Sequence, residues 1–191
     1  MDQLLIFSSV DSMIVSALVD VKQLDKAKNV DVVRHDLVAL HATMTVCIRF
    51  DNLFVPDSRV VAKVPVEQLR GVAHLGSRLA GALPVGLAVR CAQVLEKYGR
   101  KDTAATVRAR IVAVRGMLDA AVAAPQTMVA ARAAASNLAY RAAGAVVVAE
   151  GGRALQTGRD GQRFVREALF TLVTGTVPPI KDQLMGLLTA G

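Results

Sequence analysis

Tryptophan is absent from this chain, and aromatic residues make up only 4% of it. That scarcity argues against a single-stranded nucleic-acid platform, which stacks bases on aromatic rings. Cysteine is nearly absent too. Cys47 and Cys91 lie far apart in sequence, and two cysteines make no disulfide framework. Both thiols are expected to stay reduced, in a cytoplasmic setting. The histidines His35, His41 and His74 are scattered and match no metal-ligand spacing, so no metal is expected. Long apolar runs are also missing. The longest uncharged one in a helix, Leu79 to Val89, is held between Arg78 and Arg90 and is shorter than the roughly 20 residues a membrane span needs. The N-terminus carries Asp2 and no basic stretch, so it does not read as a signal peptide.

What is present is small and apolar. Hydrophobic residues are 53% of the 191 positions, many of them alanine, and mean hydropathy is +0.40. Alanine favours close-packed helices. The surplus of apolar surface is expected to be buried in a core or a subunit interface. A formal charge of +7 suits an anionic partner. Because the basic residues are spread rather than clustered, a phosphorylated small ligand explains that charge better than nucleic acid does.

The pattern changes once along the chain. From about Leu4 to Val61 it reads as strands. Ser12 to Val19 is β-branched and apolar, a charged turn covers 22–29, and Val30 to Val33 follows. Thr43 to Phe50 alternates, with Met44, Val46, Ile48 and Phe50 on one face. Asp51-Asn52 and Pro56-Asp57 are turn signals. After Pro65 the chain reads as helices. Val66 to Tyr98 is long and Ala/Gly-rich, with a break or kink expected at Pro84. Asp102 or Thr103 is expected to cap a second helix running to about Ala124. Pro125 suits the first turn of a third helix ending at Glu150. Asp160 opens a fourth that ends near Val173, and Pro178-Pro179 starts a short terminal helix. The expected fold is mainly α: an up-and-down four-helix bundle over 63–191, preceded by a small partial β-domain over 1–62.

The segment from Ala149 to Thr176 carries the densest signal. Gly151-Gly152 closes a long helix and leaves the backbone bare, so a phosphate can approach its amides. Arg163 and Arg166 follow on one face of the next helix, and Thr174-Gly175-Thr176 forms a turn. This order resembles the C-terminal domain of the acyl-CoA dehydrogenase family, in which a helix ending in GG precedes Arg-x-x-Arg-Asp and a Glu-Gly-Thr turn. Glu167 stands where that family usually has Asp. The piece Arg49 to Pro56 is similar to the family's F-D-x-V-x-V-P exit from its middle β-domain. The chain thus resembles roughly the last half of a full-length member.

The resemblance implies a flavoprotein that desaturates acyl-CoA thioesters and associates through this bundle, as a homo-oligomer or with other chains of the same kind. Gly151 and Gly152 would contact the adenosine-diphosphate part of FAD, commonly that of a neighbouring subunit. Arg163, Arg166 and Arg78 are candidates for substrate or interface contacts, with exposed ion pairs as the alternative reading. The catalytic base is missing. Thr174 stands at the usual glutamate of the turn, and registering the family's second position on Pro84-Val85-Gly86 gives Gly76 or Ser77, neither of which abstracts a proton. Glu67 lies about 15 Å further back along the helix by helical rise. Tyr98 is in place for the flavin-contact stretch, but Asp102 and Ala105 replace its Arg and Phe. Glu150 reads as a solvated helix-end carboxylate and Cys91 as a small packing residue. A second reading, from a different class, is a non-catalytic helical assembly module.

Overall fold

In the computed structural model, residues 3–24, 29–43 and 45–190 are described. Met44 and residues 25–28 of the charged turn fall outside them, as does the side chain of His41. The chain forms two compact units, Met1–Ala73 and His74–Gly191.

The first unit holds β1 (Gln3–Val10), β2 (Met13–Asp20), a one-turn helix α1 (Val21–Leu24), β3 (Val30–Arg34), β4 (Val46–Phe50) and β5 (Val60–Pro65). Strands β1, β2 and β5 form an antiparallel sheet in the order β1-β2-β5, and β3 pairs with β4 in a second sheet. Asp11, with φ at 54°, turns β1 into β2, and Asn52, with φ at 51°, follows β4. Asn and Asp adopt this left-handed geometry more readily than other side chains. Along β4, Ile48 and Phe50 are half-buried while Val46 is exposed, so the expected inward face is only partly covered. Asp20 accepts a 2.8 Å ion pair from Arg59, tying the end of β2 to the approach to β5.

Helix α2 (Val66–Lys97) begins directly after Pro65, where its first N–H donates to the Ser12 carbonyl at 2.8 Å. Pro84 does not break it. Gly81, Pro84, Val85, Leu87 and Ala88 are all buried, so core packing around the proline outweighs its lost hydrogen bond of roughly 3 kcal/mol. By length and composition α2 could cross a membrane, but its C-terminal half packs into the bundle core. Next come α3 (Lys101–Ala123), α4 (Met128–Glu150), α5 (Asp160–Val173) and α6 (Pro178–Thr189). Helix α3 starts one residue ahead of Asp102, at an Arg100 boundary without a side-chain cap, so neither Asp102 nor Thr103 caps it. Asp102 instead lies in the first turn, where its charge complements the helix dipole. Pro125 opens a single 3-10 turn, Pro125–Thr127, ahead of α4.

Short connections make these helices antiparallel neighbours, an up-and-down four-helix bundle of α2 to α5. Its core is alanine-rich: Ala88, Ala92, Ala104, Ala121, Ala135, Ala139 and Ala143 pack with Leu95, Leu118, Val146 and Phe164. Helix α6 lays Ile180 and Leu184 against Ala133 of α4.

Cys91 is fully buried in this core and Cys47 is exposed on β4. Burial, assisted by the Glu167 carboxylate, pushes the Cys91 thiol from 9.0 up to about 12. The folded thiol therefore keeps its proton where the unfolded one has lost it. Stability is complete below about pH 9 and falls as pH rises toward 12. A native-state thiol assay is expected to count Cys47 alone, with Cys91 reacting only on unfolding. Cys91→Ala is expected to flatten the alkaline end of the stability profile.

Candidate functional site

Helix α4 stops at Gly151 because that residue has φ 66° and ψ −151°, a backbone region open essentially only to glycine. Its N–H closes the last helical bond onto the Val147 carbonyl, and a 3-10 turn, Gly151–Leu155, follows. Gly151 and Gly152 are exposed, and a Cβ built on either meets nothing within 4 Å. The diglycine is therefore an open, fixed piece of backbone.

Its neighbours hold it there. Glu150 is half-buried rather than solvated, and its Oε2 accepts a 2.9 Å hydrogen bond from the Gly161 N–H in the first turn of α5. A carboxylate at a helix N-terminus is favoured by both the free N–H groups and the helix dipole. Gly161 is required at this spot, since a Cβ there would lie 2.7 Å from that same Oε2 and 2.8 Å from the Ala154 Cβ. Tyr98, just past the end of α2, also interacts with the Glu150 carboxylate. Partial desolvation, and then a hydrogen bond to that carboxylate and its charge, raise the phenol's pKa. One carboxylate thus joins the ends of α2, α4 and α5 around the diglycine.

The candidate arginines have other partners. Arg163 pairs with Asp160 at 2.7 Å and with Glu167 at 3.8 Å on its own helix, and its guanidinium lies 4.9 Å above the Phe164 ring. Arg166, one turn on, is half-buried and engaged as well. Arg78 forms a fork onto Asp119 of α3, with Nε 2.8 Å and a terminal nitrogen 2.5 Å from one carboxylate oxygen. Among the described residues no group of three or more His, Cys, Asp or Glu side chains converges as a metal site.

The turn at Thr174 rests on a residue that sequence reading missed. Arg132, in α4, has no solvent exposure. Its guanidinium donates to the Ser136 hydroxyl, to the Thr171 carbonyl at 3.2 Å and to the Thr174 carbonyl at 2.9 Å. Ser136 itself donates to the Thr171 carbonyl at 2.6 Å. Burial alone lowers the Arg132 pKa, and Nε has no hydrogen-bond partner. The cation is matched instead by the carbonyls at the C-terminus of α5, the negative end of that helix. The sequence signal was faint: an Arg and a Ser four apart, in register with the buried positions Met128, Ala135 and Ala139. Thr174 is half-buried and carries a neutral hydroxyl.

No protein-family model matches the chain, and no curated protein matches it in sequence. Solved structures do match. Butyryl-CoA dehydrogenase from Megasphaera elsdenii aligns at a TM-score of 0.74 and 17% identity, over 96% of this chain and 54% of its own. A glutaryl-coenzyme A dehydrogenase in complex with glutaryl-CoA aligns at 0.76 and 18%, over 97% and 54%. Podospora anserina nitroalkane oxidase aligns at 0.69 and 19%, over 99% and 55%. The chain spans about half the length of these solved chains, and it has the fold of the C-terminal half of the acyl-CoA dehydrogenases. A nitroalkane oxidase among them shows that this fold does not by itself choose the chemistry.

Proposed function

We propose that this chain is an acyl-CoA dehydrogenase-like subunit or fragment that acts within a cytoplasmic oligomer of related chains. It contributes the helical bundle and the adenosine-diphosphate end of an FAD site. Other chains contribute the flavin-ring pocket and the base. The observation that carries this reading is the bare diglycine at the end of α4, with Gly151 at positive φ, beside the Glu150–Gly161 hydrogen bond.

The residues fit one end of the cofactor. Exposed backbone at Gly151 and Gly152, with exposed Arg153 and Arg159 in the same loop, suits a diphosphate. FAD, when bound, accepts hydride from the β-carbon of an acyl-CoA thioester. The Thr174 hydroxyl does not take the α-proton, because its ordinary pKa is far above that of a carboxylate. The ion pairs of Arg163 and Arg78 involve exposed carboxylates and are worth only about 0–1 kcal/mol each. Such pairs are readily exchanged for a CoA phosphate or a neighbouring chain's carboxylate.

The test is co-purification. The chain is expected to be colourless by itself and to carry the flavin absorbance band only when mixed with a candidate partner dehydrogenase chain. Gly151→Val forces a β-branched residue into a glycine-only backbone region, at a strain of about 1–3 kcal/mol. It is expected to lower flavin retention in the mixture by about 5- to 150-fold, the equivalent of that strain. Colourless protein in every mixture would instead establish the non-catalytic assembly module.

A further inference from the structure

Helix α5 is held to α4 at both of its ends, by charges that α4 supplies. At its start, the Glu150 carboxylate at the end of α4 accepts from the Gly161 N–H at 2.9 Å. At its finish, the buried Arg132 guanidinium near the start of α4 donates to the Thr171 and Thr174 carbonyls. The anion meets the positive end of the α5 dipole and the cation meets the negative end. Along 14 residues the two clamps lie about 20 Å apart by helical rise.

Between the clamps the hold is thin. Helix α5 buries Gly161, Phe164, Ala168 and Thr171, a narrow stripe in which Phe164 is the one large side chain. Val165 and Leu172 add half-buried contacts. A helix of this length is marginal by itself in water, so α5 away from α4 has little to keep it helical. Glycines at positive φ flank it, Gly158 at 84° and Gly175 at 59°, in its connections to α4 and α6. Helix α6 keeps its own seat, with Ile180 and Leu184 against Ala133 of α4.

We propose that α5 docks on and leaves α4 as a single unit, so that the diglycine turn and the Thr174 turn form and loosen together. Each clamp then stabilises the whole helix and not only the end it touches. The Gly151–Leu155 turn depends on docked α5, because its buried Ala154 packs so closely on Gly161 that a Cβ there would lie 2.8 Å away. The Thr174 turn depends on it because Arg132 reaches the Thr174 carbonyl only with α5 in place. By linkage, whatever binds the docked diglycine turn also steadies the Thr174 turn at the far end, and the reverse. The inference needs no flavin, so a chain colourless in every mixture leaves it standing.

Residue-resolved native-state hydrogen exchange on the full chain tests it. In the wild type, the amides from Phe164 to Val173 are expected to share one opening constant. That constant is expected to exceed the one for the buried α3 amides at Ile111 and Leu118 by about tenfold or more. Arg132→Met is expected to raise it about 5- to 150-fold at Phe164 as well as at Val173, the equivalent of an orphaned buried carbonyl. Glu150→Ala is expected to raise it about 2- to 30-fold at both ends, the equivalent of a lost helix cap. The second variant also answers for the first if Arg132→Met does not fold. Graded constants along α5, constants equal to those of α3, or quickening only beside the substitution would each overturn the proposal.

Discussion

Arg132→Ala is expected to lower stability by about 3–5 kcal/mol, the range for breaking a buried charged network and leaving a cavity. For a chain of this size that is a fall in Tm of roughly 6–20 °C. The guanidinium is fully buried, has no carboxylate partner among the described residues, and satisfies the Thr171 and Thr174 carbonyls that α5 leaves bare at its end. Removing it orphans the Thr174 carbonyl, while Thr171 keeps the Ser136 hydroxyl. Arg132→Met separates the contributions. It conserves most of the volume and deletes the buried charge, so its loss should be smaller, about 1–3 kcal/mol for the orphaned carbonyl. Denaturant melts of the two variants check this. A loss below about 1 kcal/mol in Arg132→Ala would mean that the network does not hold the turn.

Gly161→Ala is expected to destabilise by about 1–3 kcal/mol, against the ordinary sign of that change. Glycine to alanine inside a helix usually gains up to about 1 kcal/mol. Here the new methyl would sit 2.8 Å from the Ala154 Cβ, which is fixed to backbone, and 2.7 Å from the Glu150 oxygen that caps α5. Either α5 moves away from the diglycine turn or Glu150 gives up its hydrogen bond. Gly186→Ala in α6 is the matched control, because nothing lies within 4 Å of a Cβ there. It should be neutral or gain up to about 1 kcal/mol. Thermal melts of the two proteins should therefore shift in opposite directions, or Gly186→Ala not at all. If Gly161→Ala matched Gly186→Ala, the close approach of α4 and α5 would be wrong.

Much of the architecture was legible because its punctuation is local. Pro65 marks the change from strand to helix, and Gly151, Asp160 and Pro178 mark where later helices stop or start. Each sets backbone angles or helix-end hydrogen bonding in its own vicinity. The break expected at Pro84 does not occur for the opposite reason: a local preference of about 3 kcal/mol yields when the residues around it are buried together. The cap expected of Asp102 or Thr103 failed within a residue, where helix ends are set by the preceding turn as much as by the capping side chain.

The candidate site divides along the same line. By itself the sequence determined that a bare diglycine follows a long helix, that two arginines sit one turn apart, and that Thr174 brings no carboxylate. Those are properties of residue type and spacing. Only the tertiary structure decided that Glu150 bonds Gly161 and interacts with Tyr98, that Arg163 and Arg78 are engaged by Asp160 and Asp119, and that Arg132 lies buried beneath the Thr174 turn. Each of these joins residues from 3 to 52 positions apart, and all but the Asp160–Arg163 pair cross between helices. Hydrogen bonding and desolvation depend on which helix faces meet, and that is fixed by packing the whole alanine-rich core rather than by any one stretch of chain.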